Sequence, residues 1–413
     1  MSNNDNVQVK PGALAGIKIV DMGSIVMGPY ATQILADLGA EVIKIENAGG
    51  DLMRYAGKSP TPLMGGVYMQ CNRNKKSLEL NLGDEQSREA LNKLISSADV
   101  FFTNVRLGGL KRLGYDYEGV KAMNPNIVYV HGVGFASDGP YGGRPAYDDL
   151  VQAASGVGSL LQESGTCEEP RYLPTIAADK TTALHAVYAM LAALFHRERT
   201  GEGQFVEVPM LESFVSFMMI ETLYGHSFVP PQGSMAYSRI VNPNRKPFPT
   251  KDGFIGIVPY KDEQWVGMFD MAGREDLKAD PRFATFQDRT ENIEALYAAV
   301  AEATKSRTTD EWVELLHEAQ IPYMPVQSMY DVLEDEHLKA TNFFEKREHP
   351  TEGEYISVKH PVAFEKTPAT DVYLDPPKVG QHNAEILAEL GYSEEQIKAM
   401  ADKATVQEIT MYG

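Results

Sequence analysis

The spacing of apolar and polar positions changes along the chain, and each change marks an element. "GIKIVDMG" (16–23) is a short β-branched run closed by glycine and reads as a buried strand. "GPYATQILADLGA" (28–40) has helical spacing, with Pro29 in its first turn and Gly39 as its stop. "EVIKIE" (41–46) is a second strand. Strand, helix and strand within about 30 residues make a βαβ unit, which requires a parallel pair and a right-handed crossover. The alternation continues through "DEQSREALNKLISSA" (84–98), "DVFFTN" (99–104) and "NIVYVHGVGF" (126–135). It predicts a doubly wound, Rossmann-like α/β domain.

A long apolar-periodic helix follows in "IAADKTTALHAVYAMLAAL" (176–194), and Asp179 stands at its start, where it reads locally as an N-cap. "RTGEGQFVEVPM" (199–210) ends that helix in a glycine-rich turn and enters another strand. Residues 227–253 are rich in Pro, Gly and Asn and read as long loops. A strand in "GFIGIVPY" and helices near 262–271, 292–305 and 309–319 then predict a second, smaller α+β domain. The tail (381–400) reads as two helices broken at Gly391. The expected organisation is a large domain over 1–205 joined by 375–413, a linker 206–226, a small domain 227–330 and a return linker 331–374.

With 413 residues the chain is long for one core, which agrees with two domains. A net charge of −19 argues against nucleic acid as a partner, because phosphate backbones need a basic surface. Positive charge is nevertheless gathered at Arg54, Lys58, Arg73, Lys75, Lys76, Arg106, Lys111 and Arg112, either as solvated surface or as a local anion site. The start, "MSNNDNVQVKPG", lacks the order of a signal peptide, and no run of 18 apolar residues predicts a membrane span. The two cysteines, Cys71 and Cys167, are far apart in sequence and point to a reducing compartment, the cytoplasm by default. No metal-ligand spacing, P-loop or G-x-S-x-G motif occurs. The first βα turn, "MGSIVMGPY", sets Gly23 and Gly28 five apart and lacks G-x-G-x-x-G, so Glu46 is weak support for nicotinamide binding.

The longer blocks resemble the class III CoA-transferase family, which includes formyl-CoA transferase and carnitine CoA-transferase. They are "LAGIKIVDMGSIVMGPYATQILADLGAEVIKIENAGGDLMR", "NRNKKSLELNL", "ADVFFTNVRLGGLKRLGYDYEGVKAMNPNIVYVHGVGFASDGPYGGRPAYDDLVQAASG", "AADKTTALHAVYAMLAALFHRERTGEGQFVEVPM" and "GQHNAEILAELGYSEEQI". Their order and spacing run nearly the length of the chain.

The resemblance implies that Asp179 is a nucleophile. It would attack an acyl-CoA thioester to form a mixed anhydride, then accept CoA as an aspartyl thioester, then pass CoA to a carboxylic acid. Coenzyme A is thus a substrate, with no permanently bound cofactor or metal. The CoA contacts implied are Ile25, Val26, Leu80, Asn81, Asn104, Arg106, Arg112, Tyr147 and Asp148. Val26 stands where formyl-CoA transferase has Gln, Asn47 where it has Arg, and the family's glycine-rich flap is not recognisable. Arg239, Arg245 and Lys246 are candidates for an acceptor's distal carboxylate. The family's fold implies an interlocked homodimer. The alternative activity is 2-methylacyl-CoA racemisation, but Tyr147 stands where that branch carries its basic His. Tyrosine, with an ordinary pKa near 10, is a poor base at neutral pH.

Overall fold

A computed structural model describes residues 12–369 and 372–404. The first eleven residues, and 405–413 of the expected C-terminal return, lie outside the described residues. The chain divides into two compact units: Met1–Ser155, Pro174–Phe217 and Lys339–Gly413 form the first, Gly156–Leu173 and Met218–Leu338 the second.

The first unit opens with β1 (Lys18–Met22), α1 (Met27–Asp37), β2 (Glu41–Glu46), α2 (Gly66–Cys71) and β3 (Lys75–Glu79). It continues with α3 (Glu85–Ser96), β4 (Val100–Thr103), α4 (Leu107–Leu113), α5 (Tyr117–Met123), β5 (Val128–Val133) and α6 (Asp148–Ser155). After α7 (Val157–Glu163) of the second unit come α8 (Ala177–Thr200), β6 (Phe205–Pro209) and α9 (Met210–Thr222). The six strands form one sheet in the order β3-β2-β1-β4-β5-β6. Every neighbouring pair is parallel, with Ile19 on β1 opposite Val42 on one side and Val100 on the other. Both faces are covered, so Ile19, Val20, Ile43, Phe101, Phe102 and Tyr129 are almost wholly buried, as parallel sheets require. The order reverses between β1 and β4, and in such sheets ligands bind at the carboxyl ends of the strands flanking that reversal.

β3 is an edge strand whose open side is covered. Ser77 N–H donates to His382 Nδ1, and Glu79 N–H to Asn383 Oδ1. The helices Asn383–Glu389 and Glu394–Ala404 then bring Ile386, Leu387, Tyr392 and Met400 into the core around Leu91 and Leu94. Gly391, at φ 85°, makes the break between them.

The second unit has a three-stranded antiparallel sheet, β7 (Phe248–Pro249), β8 (Phe254–Ile257) and β9 (Tyr323–Pro325), in that order. Helices Asp262–Met271, Ile293–Thr304 and Thr309–Glu318 pack Trp265, Phe269, Leu296, Val300, Trp312 and Leu316 around it.

Three expected boundaries shift. Residues 206–226 are not a linker: β6 pairs with β5 along its length and α9 follows at once. Residues 331–374 contain short helices and a hairpin of β10 (Phe344–His349) and β11 (Gly353–Val358), hidden in sequence because "FEKREH" carries charge on both faces. Residues 156–173 group with the second unit.

Candidate active site

The turn from β1 to α1 lies at the strand-order reversal, and side chains bond it in place. Gly23 N–H donates to Asp21 Oδ1 at 2.7 Å and Ser24 N–H to Asn104 Oδ1 at 3.0 Å. Asn104 Nδ2 returns a bond to the Ser24 carbonyl at 2.9 Å, so Asn104 ties the end of β4 to the turn. Ile25 N–H donates to Asp51 Oδ1 at 3.1 Å, with the Ile25 backbone held at φ 70°, a left-handed conformation rare for a β-branched residue. Val26 is buried and stands at the N-cap of α1.

Below the turn lies a buried charge network. Lys44 Nζ donates to the Gly23 carbonyl at 2.7 Å and to Asp51 Oδ2 at 2.9 Å. Lys75 Nζ reaches Asp21 Oδ2 at 3.2 Å and the Pro29 carbonyl at 2.9 Å. Arg54 forks onto Glu46 at 2.8 and 2.6 Å. Burial pushes the Asp21 and Glu46 carboxyls up, but Lys75 and Lys44 beside Asp21, and Arg54 on Glu46, hold both below the usual range. Half of the clustered cations are therefore neither free surface charge nor an anion site, while Lys58, Arg106, Lys111 and Arg112 are exposed. Arg54, Arg73 and Lys75 are buried in ion pairs with Glu46, Asp37 and Asp21, and Lys76 pairs with Glu41 and Glu385. Glu46 has no oxygen to spare for a ribose, because Arg54 and Ser77 take both.

Asp179 sits where two helix starts meet. α8 begins at Ala177 after Ile176, whose side chain caps nothing, so Asp179 is the third helical residue and not the cap. Its own N–H is capped from outside: Asp148 Oδ1, at the start of α6, accepts it at 3.0 Å. The other Asp148 oxygen accepts from Gln152 Nε2 at 2.5 Å. The Met27 backbone amide, in the first turn of α1, favours the charged form of the Asp179 carboxyl, and that turn also carries the helix's positive end. Both carboxylates are buried, Asp179 at 7% and Asp148 at 8% exposure. Burial pushes Asp179 up and the Asp148 charge pushes it further; the Met27 amide offsets only part, and the carboxyl stands at about 7. Among the described residues no cation neutralises it.

The structure thus gathers Ile25, Val26, Asn104, Asp148 and Asp179 around the two helix starts. Arg106 and Arg112 are exposed at the two ends of α4 without an ion pair among the described residues. Tyr147 is exposed beside Asp148. The Leu80 side chain lies in the core, leaving only its backbone to meet a ligand, and Asn81 Oδ1 accepts from Gly83 N–H in a tight turn. Asn47 makes a similar turn with Gly49 N–H. Arg239, Arg245 and Lys246 belong to the second unit, where Arg239 Nε donates to the Tyr297 hydroxyl at 3.0 Å while Arg245 and Lys246 are exposed. Sequence reading missed Lys44, Asp51 and the Met27 amide. A lysine inside "EVIKIE" was the available signal, because a charge in a strand buried on both faces demands a partner. Among the described residues no cluster of His, Cys, Asp or Glu has the arrangement of a metal site, and no helix is long and apolar enough to cross a membrane.

An open depression of about 380 Å³ adjoins the two helix starts, lined by Val26, Gly66, Val67, Gln70, Cys71, Thr175, Ile176 and Lys180. Its walls are mainly apolar, and the Lys180 ammonium is tethered to Thr175 Oγ1 at 2.6 Å.

Residues 14–383 match the model of CoA-transferase family III. The chain is 33% identical to the (R)-2-hydroxy-4-methylpentanoate CoA-transferase of Clostridioides difficile, over 95% of this chain and 99% of that one. It is 31% identical to the human succinyl-CoA:glutarate CoA-transferase, over 98% and 92%. A crystal structure of a CaiB/BaiF family protein from Brucella suis superposes with a TM-score of 0.79 at 30% identity, covering 92% of this chain and all of that one. With its fold and nearly its whole length matched, the chain belongs to the class III CoA-transferases, a family of enzymes.

Proposed function

We propose that the protein moves CoA from an acyl-CoA donor to a small mono- or dicarboxylic acid, with Asp179 as the nucleophile. One observation carries this reading: a buried carboxylate with no cation, set at the starts of α1 and α8 under the influence of the Met27 amide. A carboxylate is a weak nucleophile in water, so removing water and neutralising charge only through amide donors raises its reactivity while leaving it free to form a bond. The Asp179 oxygen attacks the thioester carbonyl, the C–S bond breaks, and its electron pair leaves on the CoA sulfur. The thiolate then attacks the aspartyl carbonyl of the anhydride and expels the donor acid as a carboxylate. The acceptor acid reverses these steps. The Met27 amide serves the oxygen that carries charge in each tetrahedral state.

Arg106 and Arg112 are proposed to meet the CoA phosphates, since both are exposed cations at the carboxyl-end side of β4. Ile25, Val26, Leu80, Asn81, Asn104 and Tyr147 are proposed as contacts along the same ligand. The depression lined by Val26, Val67 and Ile176 supports an acid with an apolar body, and Lys180 a second carboxylate. Arg245 and Lys246, in the second unit, are proposed in their own right as contacts for an acceptor acid's distal carboxylate. A second copy of the chain is the proposed partner, in an interlocked homodimer. Its support is the exposed apolar stripe of Leu184, Tyr188 and Phe195 along α8, which a monomer would leave in water. A stable native monomer in sedimentation would overturn it. The free thiols Cys71 and Cys167 support a cytoplasmic setting.

Incubation with acyl-CoA and no acceptor, then hydroxylamine and peptide mass spectrometry, should place a hydroxamate on Asp179. Deuterium uptake next to the thioester, with no adduct, would assign racemisation instead.

A further inference from the structure

We propose that Asp148 is not a CoA contact but a positioning residue for Asp179: it fixes the first turn of α8 through the Asp179 N–H and favours, by its charge, the states in which Asp179 carries an acyl group. The inference rests on the reading of Asp179 as the nucleophile. Three observations meet here. α8 has no side-chain cap of its own at Ile176, so the amide in its first turn depends on Asp148 Oδ1, 3.0 Å away. Asp148 is buried, and its second oxygen is occupied by Gln152, whose amide also donates to the Thr175 carbonyl at 3.2 Å. Asp148, Gln152 and the residue leading into α8 are therefore one bonded unit, in which both Asp148 oxygens already accept a hydrogen bond.

The charge has a chemical consequence. Attack by Asp179 forms a C–O bond, breaks the C–S bond and moves one negative charge from the aspartate to the leaving thiolate. Asp179 is neutral as anhydride and as thioester, and in both it no longer faces the Asp148 charge. With Asp179 ionised for attack, the free enzyme holds two like charges in a buried place; the acyl-enzyme holds one. Asp148 thereby lifts the resting state relative to the covalent intermediates.

Other groups near this start are engaged or remote from the effect. His131 on β5 bonds the Val105 carbonyl, His185 on α8 the Thr181 carbonyl, and Lys180 the Thr175 hydroxyl. Glu207 on β6 is taken by Ser137, and Asp37 on α1 by Arg73. Asp149 on α6 and Tyr147 are exposed, and Cys71 on α2 is a buried thiol that burial keeps protonated. Asp148 is the charge that acts on Asp179.

Asp148→Asn keeps an acceptor for the Asp179 N–H and removes the charge; Asp148→Ala removes both. In the full-length protein, with acyl-CoA and no acceptor, Asp148→Asn should lower the steady-state aspartyl-CoA adduct, read by intact mass, by about tenfold. It should also move the acid limb of kcat/KM to lower pH, with KM for acyl-CoA within about twofold of the parent. Asp148→Ala should lose a further ~10-fold in kcat, restored in part by the Asn side chain. If Asp148→Asn leaves adduct level and acid limb unchanged, the proposal is overturned. A raised KM for acyl-CoA with an unchanged adduct would return Asp148 to the CoA contacts. A parent enzyme that never forms an adduct at Asp179 would instead overturn the nucleophile reading, a separate outcome.

Discussion

Glu46 and Asp179 are both carboxylates buried in the first unit, and both serve the β1–α1 turn region, yet their surroundings have opposite signs. Glu46 receives Arg54 in a two-pronged fork and a hydroxyl from Ser77, and its carboxyl is held below the usual range. Asp179 has only the Met27 amide to favour its charge and the Asp148 charge against it, and stands at about 7. Burial alone would raise both. The partner decides which becomes a structural strut and which stays reactive. A carboxylate that is fully satisfied has nothing left for a substrate, so the cation missing at Asp179 is what leaves it chemically available.

The same edit, carboxylate to amide, should therefore give opposite results at the two sites. Asp179→Asn should lower kcat by at least ~10³-fold, about 4 kcal/mol of transition-state stabilisation, with an unchanged far-ultraviolet circular dichroism spectrum. Retained turnover would erase the contrast. Glu46→Gln should leave Arg54 buried without its anion and cost about 3–5 kcal/mol of stability, measured as a lower urea midpoint. Removing Arg54 in the same chain, as Glu46→Gln with Arg54→Met, should recover part of that loss. A Glu46→Gln chain as stable as the parent would show that the pair contributes nothing to the turn.

The contrast extends to pH. From about pH 4, where a free aspartate ionises, to about 7, folded chains hold a proton on Asp179 that unfolded chains have lost. Stability from this group is thus complete at low pH and falls as pH rises through the window, by about 4 kcal/mol at most. Glu46 behaves oppositely: its folded carboxyl lies below its unfolded value, so its contribution is present above the unfolded value and disappears as pH falls. Asp179→Asn should match the parent in melting temperature near pH 4 and exceed it near pH 8. The acid limb of parent kcat/KM should lie near 7, because the ionised form attacks. Equal melting temperatures at both pH values would mean that Asp179 is not under electrostatic load.

Much of this was legible in the sequence, and the exceptions share a cause. β1, β2, β4, β5 and β6 show as apolar runs, and the helices of the second unit show by their period. β3 was not read as a strand, because "KKSLE" opens with two lysines, and only the fold shows Lys75 buried against Asp21. Arg54 and Arg73 read as solvated surface or an anion site for the same reason, and both are buried in ion pairs. A binary pattern treats charge as exposure and has no symbol for a charge whose partner lies on another strand. The cap assignment for Asp179 failed in a related way. An N-cap is normally sought within a residue or two of the helix start, and here it comes from Asp148, 31 positions upstream.

The smallest test concerns how firmly the turn must be held. Ile25 keeps a left-handed backbone while its N–H binds Asp51, two residues before the Met27 amide that serves Asp179. A β-branched residue in that conformation costs about 1–2 kcal/mol, and glycine adopts it freely. Glycine also widens the unfolded ensemble by about 0.5–1 kcal/mol, so Ile25→Gly should be stabilising by up to about 1 kcal/mol in urea. Ile25→Ala keeps a Cβ in the strained position and should gain nothing. If rigidity of the turn sets the Met27 amide, kcat of Ile25→Gly should fall a few-fold as stability rises, whereas Ile25→Ala should hold its kcat. Should Ile25→Gly gain stability with kcat intact, the amide is placed by α1 and the Lys44–Asp51 brace, and the strain at Ile25 has no part in the chemistry.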